Sequence, residues 1–368
     1  MARALSLQPS DIRCIHAEGA GCYGHNGADD VAADAALAAR ATPGRPVRLQ
    51  WMREQEHGWE PMGPAMTVDL AASLTPDGRI ASWRYELWSN EHNGRPAGAG
   101  GLLAGLEVEP PFPRQVPRPI PLPEGGADRN SEPIYAIPSL HGVYHFTTET
   151  PFRVSALRSL GAHGNIFALE SFMDELALAA GADPVAFRLA HLADPRARAV
   201  VQRAADAFGW AQRPKGCGFA FARYKNLASY CAVAMEVEVT RDTGRIRAPR
   251  VVAVIDAGEA VNPDGLRNQI EGAIVQSLSW STQERVTFDA LHRTSFDWSG
   301  YPILRFEDVP QRVEAHVLDR PGQPFLGAGE AGQGPAAAAL ANAVADATGV
   351  RFRDLPLSPE RLAPALSG

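Results

Sequence analysis

Residues 327–335 read GAGEAGQGP, and residues 336–344 continue as AAAALANAV. The four glycines of the first run allow turns with positive φ and a close approach of the backbone to a ligand. The alanine-rich run that follows favours a helix. We therefore predict a glycine-rich turn that opens a helix, with its one acid, Glu330, at or just before the helix N-terminus. There the helix dipole favours a charged carboxylate by about 0.3–1 kcal/mol.

Glu330 has two interpretations at this point. A carboxylate held in a backbone-lined cleft can act as a general base. A single acid in a glycine-rich turn can also do nothing more than cap the helix. Because the turn alone leaves both interpretations open, the rest of the chain has to choose between them.

The composition is that of a soluble globular protein. The chain has 368 residues, of which 45% are hydrophobic and 21% charged, which is enough for two domains with a sizeable core. The formal net charge is −7, so the basic footprint of a nucleic-acid-binding protein is missing and no nucleic acid is expected as a partner.

The cysteines and the first residues suggest a cellular location. Cys14, Cys22, Cys217 and Cys231 show no C-x-x-C spacing, so no iron–sulfur or zinc cluster is expected in this chain. Reduced thiols predict a cytoplasmic protein. Residues 1–9 have no apolar signal region and no run reaches membrane-spanning length, although partners could bring the protein to the periplasm or the membrane.

The first part of the chain predicts a strand–loop–helix–strand unit followed by a hairpin. The predicted elements are a strand at 11–18, a helix from Asp29 to about Arg40, a strand at 47–51, and hairpin strands at 65–74 and 80–88. Residues 90–138 are rich in glycine and proline, which predicts a long ordered surface excursion.

The loop between the first strand and the helix contains Gly19, Gly21 and Gly24, which satisfy the G-x-G-x-x-G pattern of dinucleotide sites. Two features oppose a nucleotide there. The preceding strand alternates in polarity, and Asp29 and Asp30 place negative charge where a pyrophosphate would meet the helix. A loop that approaches another large cofactor, or a plain tight turn, fits better.

Arg158 precedes an amphipathic helix predicted at 166–177, which should stop at Gly181. An arginine at a helix entrance can hold an anionic ligand by paired hydrogen bonds. A surface ion pair with Glu170 or Asp174 is the alternative.

The segment RPKG at 213–216 follows a helical stretch at 184–210 and is the predicted boundary between a first domain, 1–211, and a second, 212–368. Further predicted elements are strands at 231–240 and 247–256 around the turn at 242–244, and a helix at 266–276 that carries Gln269 and Gln276.

Four motifs occur in an order and spacing that resemble a known family. They are Gly21-Cys22-Tyr23-Gly24, Arg158-Ser159-Leu160-Gly161, Val261-Asn262-Pro263 with Gln269-Ile270-Glu271-Gly272, and Gly327-Ala328-Gly329-Glu330. Together they resemble the molybdenum-binding subunit of the xanthine dehydrogenase and aldehyde oxidase family, nearest to its isoquinoline 1-oxidoreductase and nicotinate dehydrogenase branch. The resemblance runs over about residues 11–361 and corresponds to the second portion of that subunit.

The resemblance implies a fold, a cofactor and a set of site residues. The fold is α+β, with two mixed α/β domains of the molybdopterin-binding subunit type and the cofactor cleft between them. The cofactor is molybdenum–molybdopterin cytosine dinucleotide, whose pterin holds the metal without protein ligands. Glu330, in the second domain, is the implied catalytic base, and Leu160 and Arg158 belong to the substrate pocket. The implied cofactor-binding residues are Gly21, Cys22, Tyr23, Gly24, Arg158, Gly161, Ala162, Gln269 and Gly329.

The implied reaction hydroxylates an electron-poor carbon of an aromatic N-heterocycle or an aldehyde with oxygen derived from water. The resemblance implies that electrons pass to [2Fe–2S] clusters on a small partner subunit. Further implied partners are the N-terminal half of the molybdenum subunit, if the subunit is split, and a cytochrome c or flavin subunit.

Three departures from the family pattern keep alternatives open. Leu160 stands where relatives commonly have an aromatic residue, and the upstream glutamine of relatives has no place here. The Gly-Gln-Gly segment of xanthine dehydrogenases is also missing from residues 216–240, where Tyr224-Lys225-Asn226 is the candidate replacement. A non-catalytic structural subunit and an NAD-dependent dehydrogenase are the alternative functions.

Overall fold

A computed structural model describes residues 1–19, 21–24, 28–92, 94 and 98–367 of the chain. Its strands are β1 Met66–Leu74, β2 Ile80–Ser89, β3 Ser139–Phe146, β4 Cys217–Arg223, β5 Tyr230–Thr240, β6 Arg245–Asp256 and β7 Arg312–Val317. Its α-helices are α1 Ala2–Leu5, α2 Ala28–Ala41, α3 Arg53–Trp59, α4 Leu103–Glu107, α5 Ala162–Ala179, α6 Pro184–His191, α7 Pro195–Phe208, α8 Pro263–Thr282, α9 Gln333–Thr348 and α10 Pro359–Leu366.

The strands form two mixed sheets. The smaller has the order β1-β2-β3, in which β1 and β2 are antiparallel and β3 is parallel to β2. The larger has the order β4-β5-β6-β7, with an antiparallel meander and a parallel β7 at its edge. Helices and strands occur in clusters, which confirms the predicted α+β class.

The larger sheet is buried on both faces because its central strands alternate between two hydrophobic cores. One face, which includes Val233 and Met235, packs against α8, α9 and α10. The other face, which includes Phe219 and Val252, packs against α5, α6, α7 and the smaller sheet. This second core joins side chains from before and after residue 211, so the domain division at that residue stays a prediction.

The alanine-rich run of α9 serves close packing in addition to helix propensity. Residues 331–344 are all buried, because α9 lies between α5, α8 and the larger sheet. Small side chains let its backbone approach β4 closely. A Cβ atom on Gly218 would lie 2.1 Å from the Ala339 carbonyl oxygen and 2.3 Å from the Ala343 nitrogen.

We expect Gly218→Ala to destabilise the protein, because the added methyl would meet the α9 backbone, which cannot rotate away as a side chain can. The expected loss of unfolding free energy is about 1–3 kcal/mol, measured by urea denaturation. Gly142→Ala is the control, because Gly142 lies in β3 with open space where its Cβ would be. Equal stability of the two variants would refute this account of the β4–α9 contact.

The predicted helices and hairpins are largely confirmed. The β1–β2 hairpin, the β5–β6 hairpin and the helices α2, α5, α8 and α9 lie where the sequence predicts them. Gly181 follows α5 with φ of 64°, as a helix-ending glycine should. The helical stretch at 184–210 is two helices, α6 and α7, which begin after the capping side chains of Asp183 and Asp194.

Two predicted strands are wrong. Residues 11–18 and 47–51 alternate in polarity but form no strand, and most of them are exposed. A strand needs a partner for its backbone groups, and neither segment pairs with a described strand. Ala20 and residues 25–27 of the glycine loop, and residues 93 and 95–97 of the predicted excursion, lie outside the described residues. The rest of that excursion is mostly irregular, with the short helix α4.

Candidate active site

The Glu330 carboxylate lies two residues before the α9 cap, Gly332, as predicted from the turn. Its Oε1 accepts a hydrogen bond from the Ser159 backbone N–H at 2.9 Å, and its Oε2 accepts one from Tyr224 Oη at 2.6 Å. Ser159 Oγ also donates to the Glu330 carbonyl oxygen at 2.8 Å. Two segments far apart in sequence therefore fix this half-buried carboxylate.

Arg158 joins two of the predicted motifs to each other. Its side chain is only 6% exposed. Nε donates to the Gly329 carbonyl oxygen at 2.8 Å, and Nη2 donates to Gln269 through the backbone oxygen at 2.9 Å and Oε1 at 3.0 Å. Nη1 donates to Gln276 Oε1 at 3.3 Å. Burial lowers the pKa of Arg158, while Tyr23 and Glu330 act in the opposite direction.

The predicted alternative for Arg158, an ion pair with Glu170 or Asp174, is wrong. Both of those carboxylates pair with Arg188 instead. Arg158 donates its hydrogen bonds to uncharged oxygens of the glycine turn and of α8. These bonds hold the two elements together. Its predicted contact with an anionic ligand stays a prediction.

The glycine loop reaches the same place. The Arg158 backbone N–H donates to the Tyr23 carbonyl oxygen at 2.6 Å, and the Arg158 guanidinium carbon lies 5.9 Å from the centroid of the Tyr23 ring. Gly24 forms an isolated antiparallel bridge with Leu157. A Cβ on Gly24, whose φ is 151°, would lie 2.0 Å from the Ala156 carbonyl oxygen. Tyr23 is 56% exposed beside the site. Gly21 and Cys22 of the same loop are exposed too.

The turn that presents the Ser159 N–H is strained. Ser159 and Leu160 have φ of 75° and 52°, which side-chain-bearing residues seldom adopt and which cluster at functional sites. The next two residues, Gly161 and Ala162, are buried under the turn, and a Cβ on Gly161 would lie 2.0 Å from the Ala127 carbonyl oxygen. Their predicted cofactor contacts stay predictions.

Leu160 lines a cavity of about 630 Å³ together with His92, Phe167, Phe172 and Trp280. Glu330 is not among the residues that line this cavity. The structure thus places Leu160 between the site and an aromatic cavity, and its role in a substrate pocket stays a prediction.

His92, in this cavity wall, predicts a loss of stability in acid. It is buried with Nε2 2.8 Å from Ser89 Oγ, and burial lowers the pKa of His92 to about 3. In the unfolded chain His92 binds a proton below about pH 6.5, whereas in the folded chain it binds a proton only below about pH 3. The unfolding free energy should therefore fall by about 2 kcal/mol between pH 6.5 and pH 5 from this group alone.

Denaturation across that pH range measures the effect, with His92→Gln as the comparison. Glutamine can still donate to Ser89 but does not titrate, so the variant should lose this part of the pH dependence. An unchanged slope would show that other groups cause the acid sensitivity.

The glycine turn offers donors that fit a large polar ligand. The backbone N–H groups of residues 328–332 donate to no residue that the structure describes. Gln333 is fully buried at the start of α9, and neither polar atom of its side-chain amide has a partner among those residues. Leaving such an amide unpaired costs about 1–3 kcal/mol. These donors, with the exposed Gln269 beside Gly329, fit the phosphate and ring oxygens of a pterin nucleotide.

The reason for the glycines differs from the predicted one. None of Gly327, Gly329, Gly332 and Gly334 has a positive φ. A Cβ on Gly334 would instead lie 2.6 Å from Ile166 Cδ1, and one on Gly332 3.1 Å from Ala273 Cβ. Two of the four glycines are therefore needed for packing α9 against α5 and α8.

Three functional candidates were not assigned from the sequence, namely Ser159, Gln333 and Arg129. Ser159 and Gln333 lie inside the quoted motifs, but an N–H direction and an unpaired amide cannot be read from residue types. Arg129, which donates to Tyr224 Oη, lies in the irregular 90–138 segment and carries no motif. Tyr224 belongs to the predicted replacement for the Gly-Gln-Gly segment, and in the structure its hydroxyl donates to Glu330 Oε2.

Two further findings concern metals and membranes. Among residues 1–19, 21–24, 28–92, 94 and 98–367, no group of three or more His, Cys, Asp and Glu side chains is arranged to hold a metal ion. Within the same part of the chain, we find no helix that combines the length and the apolar character needed to span a bilayer.

The fold is shared with an aldehyde oxidoreductase of known structure. Aldehyde oxidoreductase from Desulfovibrio desulfuricans superposes with a TM-score of 0.72 at 16% identity, over 94% of this chain and 54% of that one. At this identity the likeness concerns the fold alone, and it supports the predicted α+β architecture.

The sequence comparisons give the family. Two models described as molybdopterin cofactor-binding domain match residues 1–101 and 174–310. A nicotinate dehydrogenase subunit from Pseudomonas putida is 41% identical over 100% of this chain and 31% of its own length. The beta subunit of isoquinoline 1-oxidoreductase from Brevundimonas diminuta is 31% identical over 89% of this chain and 40% of its own length. The chain belongs to the molybdopterin cofactor-binding family of molybdenum oxidoreductase subunits, and it spans less than half the length of these two relatives.

Proposed function

We propose that this chain is the catalytic portion of a molybdenum hydroxylase subunit that acts on an aromatic N-heterocycle or an aldehyde. The observation that carries the proposal is the Glu330 carboxylate, fixed by Ser159 and Tyr224 beside a turn whose backbone N–H groups donate to no residue that the structure describes. The names of the two relatives, nicotinate dehydrogenase and isoquinoline 1-oxidoreductase, favour the N-heterocycle as substrate.

Hydroxylation of a C–H bond by water yields the hydroxylated carbon, two electrons and two protons. When bound, the molybdenum cofactor supplies the acceptor for the two electrons. Glu330 Oε atoms accept a proton from the water-derived nucleophile, which makes this residue the general base. The Ser159 N–H and the Tyr224 hydroxyl hold the carboxylate, and the N–H groups of residues 328–332 with Gln269 would hold the cofactor. The hydrogen bonds of Arg158 hold the glycine turn against α8.

An NAD-dependent dehydrogenase finds less support. A dinucleotide site of the G-x-G-x-x-G type needs a strand that leads into the glycine loop. Residues 12–19 form no strand, and Tyr23 of the loop faces Arg158 beside Glu330. The loop therefore serves the same site as the other motifs.

We propose the cytosine dinucleotide form of molybdopterin and a [2Fe–2S] partner that takes the electrons onward. Both relatives are named as subunits, which supports a multi-subunit enzyme. The part of the relatives that this chain does not span would supply the rest of the molybdenum subunit. A cytoplasmic location is part of the proposal.

The experiment is a turnover assay in isotopically labelled water. The complex that forms when this chain is co-expressed with its neighbouring coding regions is given aromatic N-heterocycles and aromatic aldehydes with an artificial electron acceptor. We expect a hydroxylated product with one oxygen atom from water. Oxygen derived from O2, or no turnover by a molybdenum-containing complex across both substrate classes, would contradict the proposal.

A further inference from the structure

Tyr224 forms the middle of a directed chain of hydrogen bonds that ends at Glu330. Tyr224 Oη lies 2.6 Å from Arg129 Nη1 and 2.6 Å from Glu330 Oε2. A guanidinium group only donates hydrogen bonds, so Arg129 donates to the phenol oxygen. The phenol proton is then free to point at the carboxylate. The chain therefore runs in one direction, from Arg129 through Tyr224 to Glu330.

Arg129 is held in place without help from Glu330. Its side chain is buried, Nε donates to the Glu124 carbonyl oxygen at 2.9 Å, and Nη2 donates to the Gly125 carbonyl oxygen at 3.0 Å. The guanidinium carbon also lies 5.5 Å from the centroid of the Tyr224 ring, within cation–π range. The phenol is thus anchored from behind by a fixed positive charge.

The backbone around Tyr224 is strained and tied down. Lys225 and Asn226 have φ of 58° and 56°, and Asn130, which follows Arg129, has φ of 62°. The two segments are joined because the Lys225 N–H donates to Asn130 Oδ1 at 2.8 Å and Asn130 Nδ2 donates to the Arg223 carbonyl oxygen at 2.8 Å. Non-glycine residues keep such conformations only where the surrounding structure imposes them, and they cluster at functional sites.

Two cationic side chains near Glu330, Arg158 and Lys225, direct their hydrogen bonds to other groups, so they do not take the place of Tyr224. Arg158 approaches from the 157–161 turn but directs its N–H groups to Gly329, Gln269 and Gln276. Lys225 turns away and pairs with Glu124 Oε2 at 2.5 Å. Burial, and then the Glu330 charge, raise the pKa of Tyr224 well above its ordinary value, so the phenol remains a donor.

We propose that Tyr224, anchored by Arg129, is a positioning residue that holds the Glu330 carboxylate in the orientation in which it accepts a proton. The inference rests on the proposed function, in which Glu330 is the general base. Loss of the phenol hydroxyl would remove one of the two hydrogen bonds to the carboxylate. The carboxylate would then turn more freely.

The test compares Tyr224→Phe with Tyr230→Phe. Tyr230 is a matched control, because it is also buried and donates to a carboxylate, Asp194 Oδ2 at 2.7 Å, away from Glu330. Two quantities are measured for each variant. One is the separate effect on kcat and on KM in the assembled enzyme, and the other is the frequency of the Glu330 carboxylate stretching bands in the purified full chain. Infrared difference spectra give these bands, with Glu330→Gln as the blank.

We expect Tyr224→Phe to lower kcat about tenfold with little change in KM, and to shift the Glu330 carboxylate bands because one of the two hydrogen bonds to the carboxylate is lost. Tyr230→Phe should change neither quantity. Glu330 carboxylate bands that are the same in Tyr224→Phe and in the wild type would overturn the inference. The infrared arm needs no turnover, so a band shift in an inactive preparation would support the role of Tyr224 while counting against the proposed function.

Discussion

Glu330→Gln is expected to lower kcat by about a thousandfold or more while leaving the molybdenum content of the complex unchanged. Glutamine has nearly the same shape and can still accept the Ser159 N–H, but it cannot take a proton at neutral pH. Removal of a positioned general base typically costs a factor of about 10²–10⁴. Steady-state turnover of the assembled enzyme, together with metal analysis, measures the effect.

Glu238→Gln is the control for this prediction. Glu238 is an exposed acid on β5, and the same chemical change there should leave turnover unaffected. If Glu330→Gln retains more than a tenth of the activity with full metal content, Glu330 is not the base and the simple helix-capping interpretation returns.

Arg188→Met is expected to have the largest effect on stability. Arg188 is fully buried, with Nε 2.7 Å from Glu170 Oε2 and Nη1 2.6 Å from Asp174 Oδ1. Removing one partner from a buried ion pair leaves uncompensated charge and costs about 3–5 kcal/mol. Chemical denaturation of the full chain measures the loss.

The Arg188 cluster is costly to break because Glu170 serves several elements at once. Its carboxylate also accepts hydrogen bonds from the Phe221 N–H in β4 at 2.9 Å and from Tyr135 Oη at 2.6 Å. Burial raises the pKa of Asp174 while Arg188 opposes that rise, so loss of the arginine would drive this acid toward its neutral form.

Arg353→Met is the matched control for Arg188→Met. Arg353 also pairs with a carboxylate, Glu175, at 2.6 Å, but its side chain is 66% exposed. Exposed ion pairs contribute about 0–1 kcal/mol, so this variant should be close to the wild type. A comparable loss in both variants would mean that the buried cluster has no special role.

The sequence predicted the parts of the fold and site that depend on local patterns. The alanine run, the two hairpins and the capped helices follow from periodicity and turn chemistry, and the structure has them. The spatial meeting of Tyr23, Arg158, Gln269 and Glu330 was expected from the resemblance of four ordered motifs. The contacts of Arg158 with Gly329 and Gln269 show that three of these motifs share one site.

The remaining features depend on partners distant in sequence. Residues 11–18 alternate in polarity as a strand does, but a strand forms only where a neighbouring strand pairs with its backbone groups. The sequence pattern of one segment does not reveal whether such a neighbour exists. The ion pairs of Arg188 could not be predicted from the sequence, because its two carboxylate partners come close to it only when α5 and α6 pack together. Arg129 likewise acts on Tyr224 across 95 positions of sequence.

The most direct test of the central claim is the cofactor content of the complex assembled on this chain. Molybdenum and released nucleotide are measured per mole of chain after purification with the co-expressed partners. The account predicts close to one molybdenum and one cytosine nucleotide per chain. A well-folded complex without molybdenum would contradict it and would leave a structural subunit as the better description.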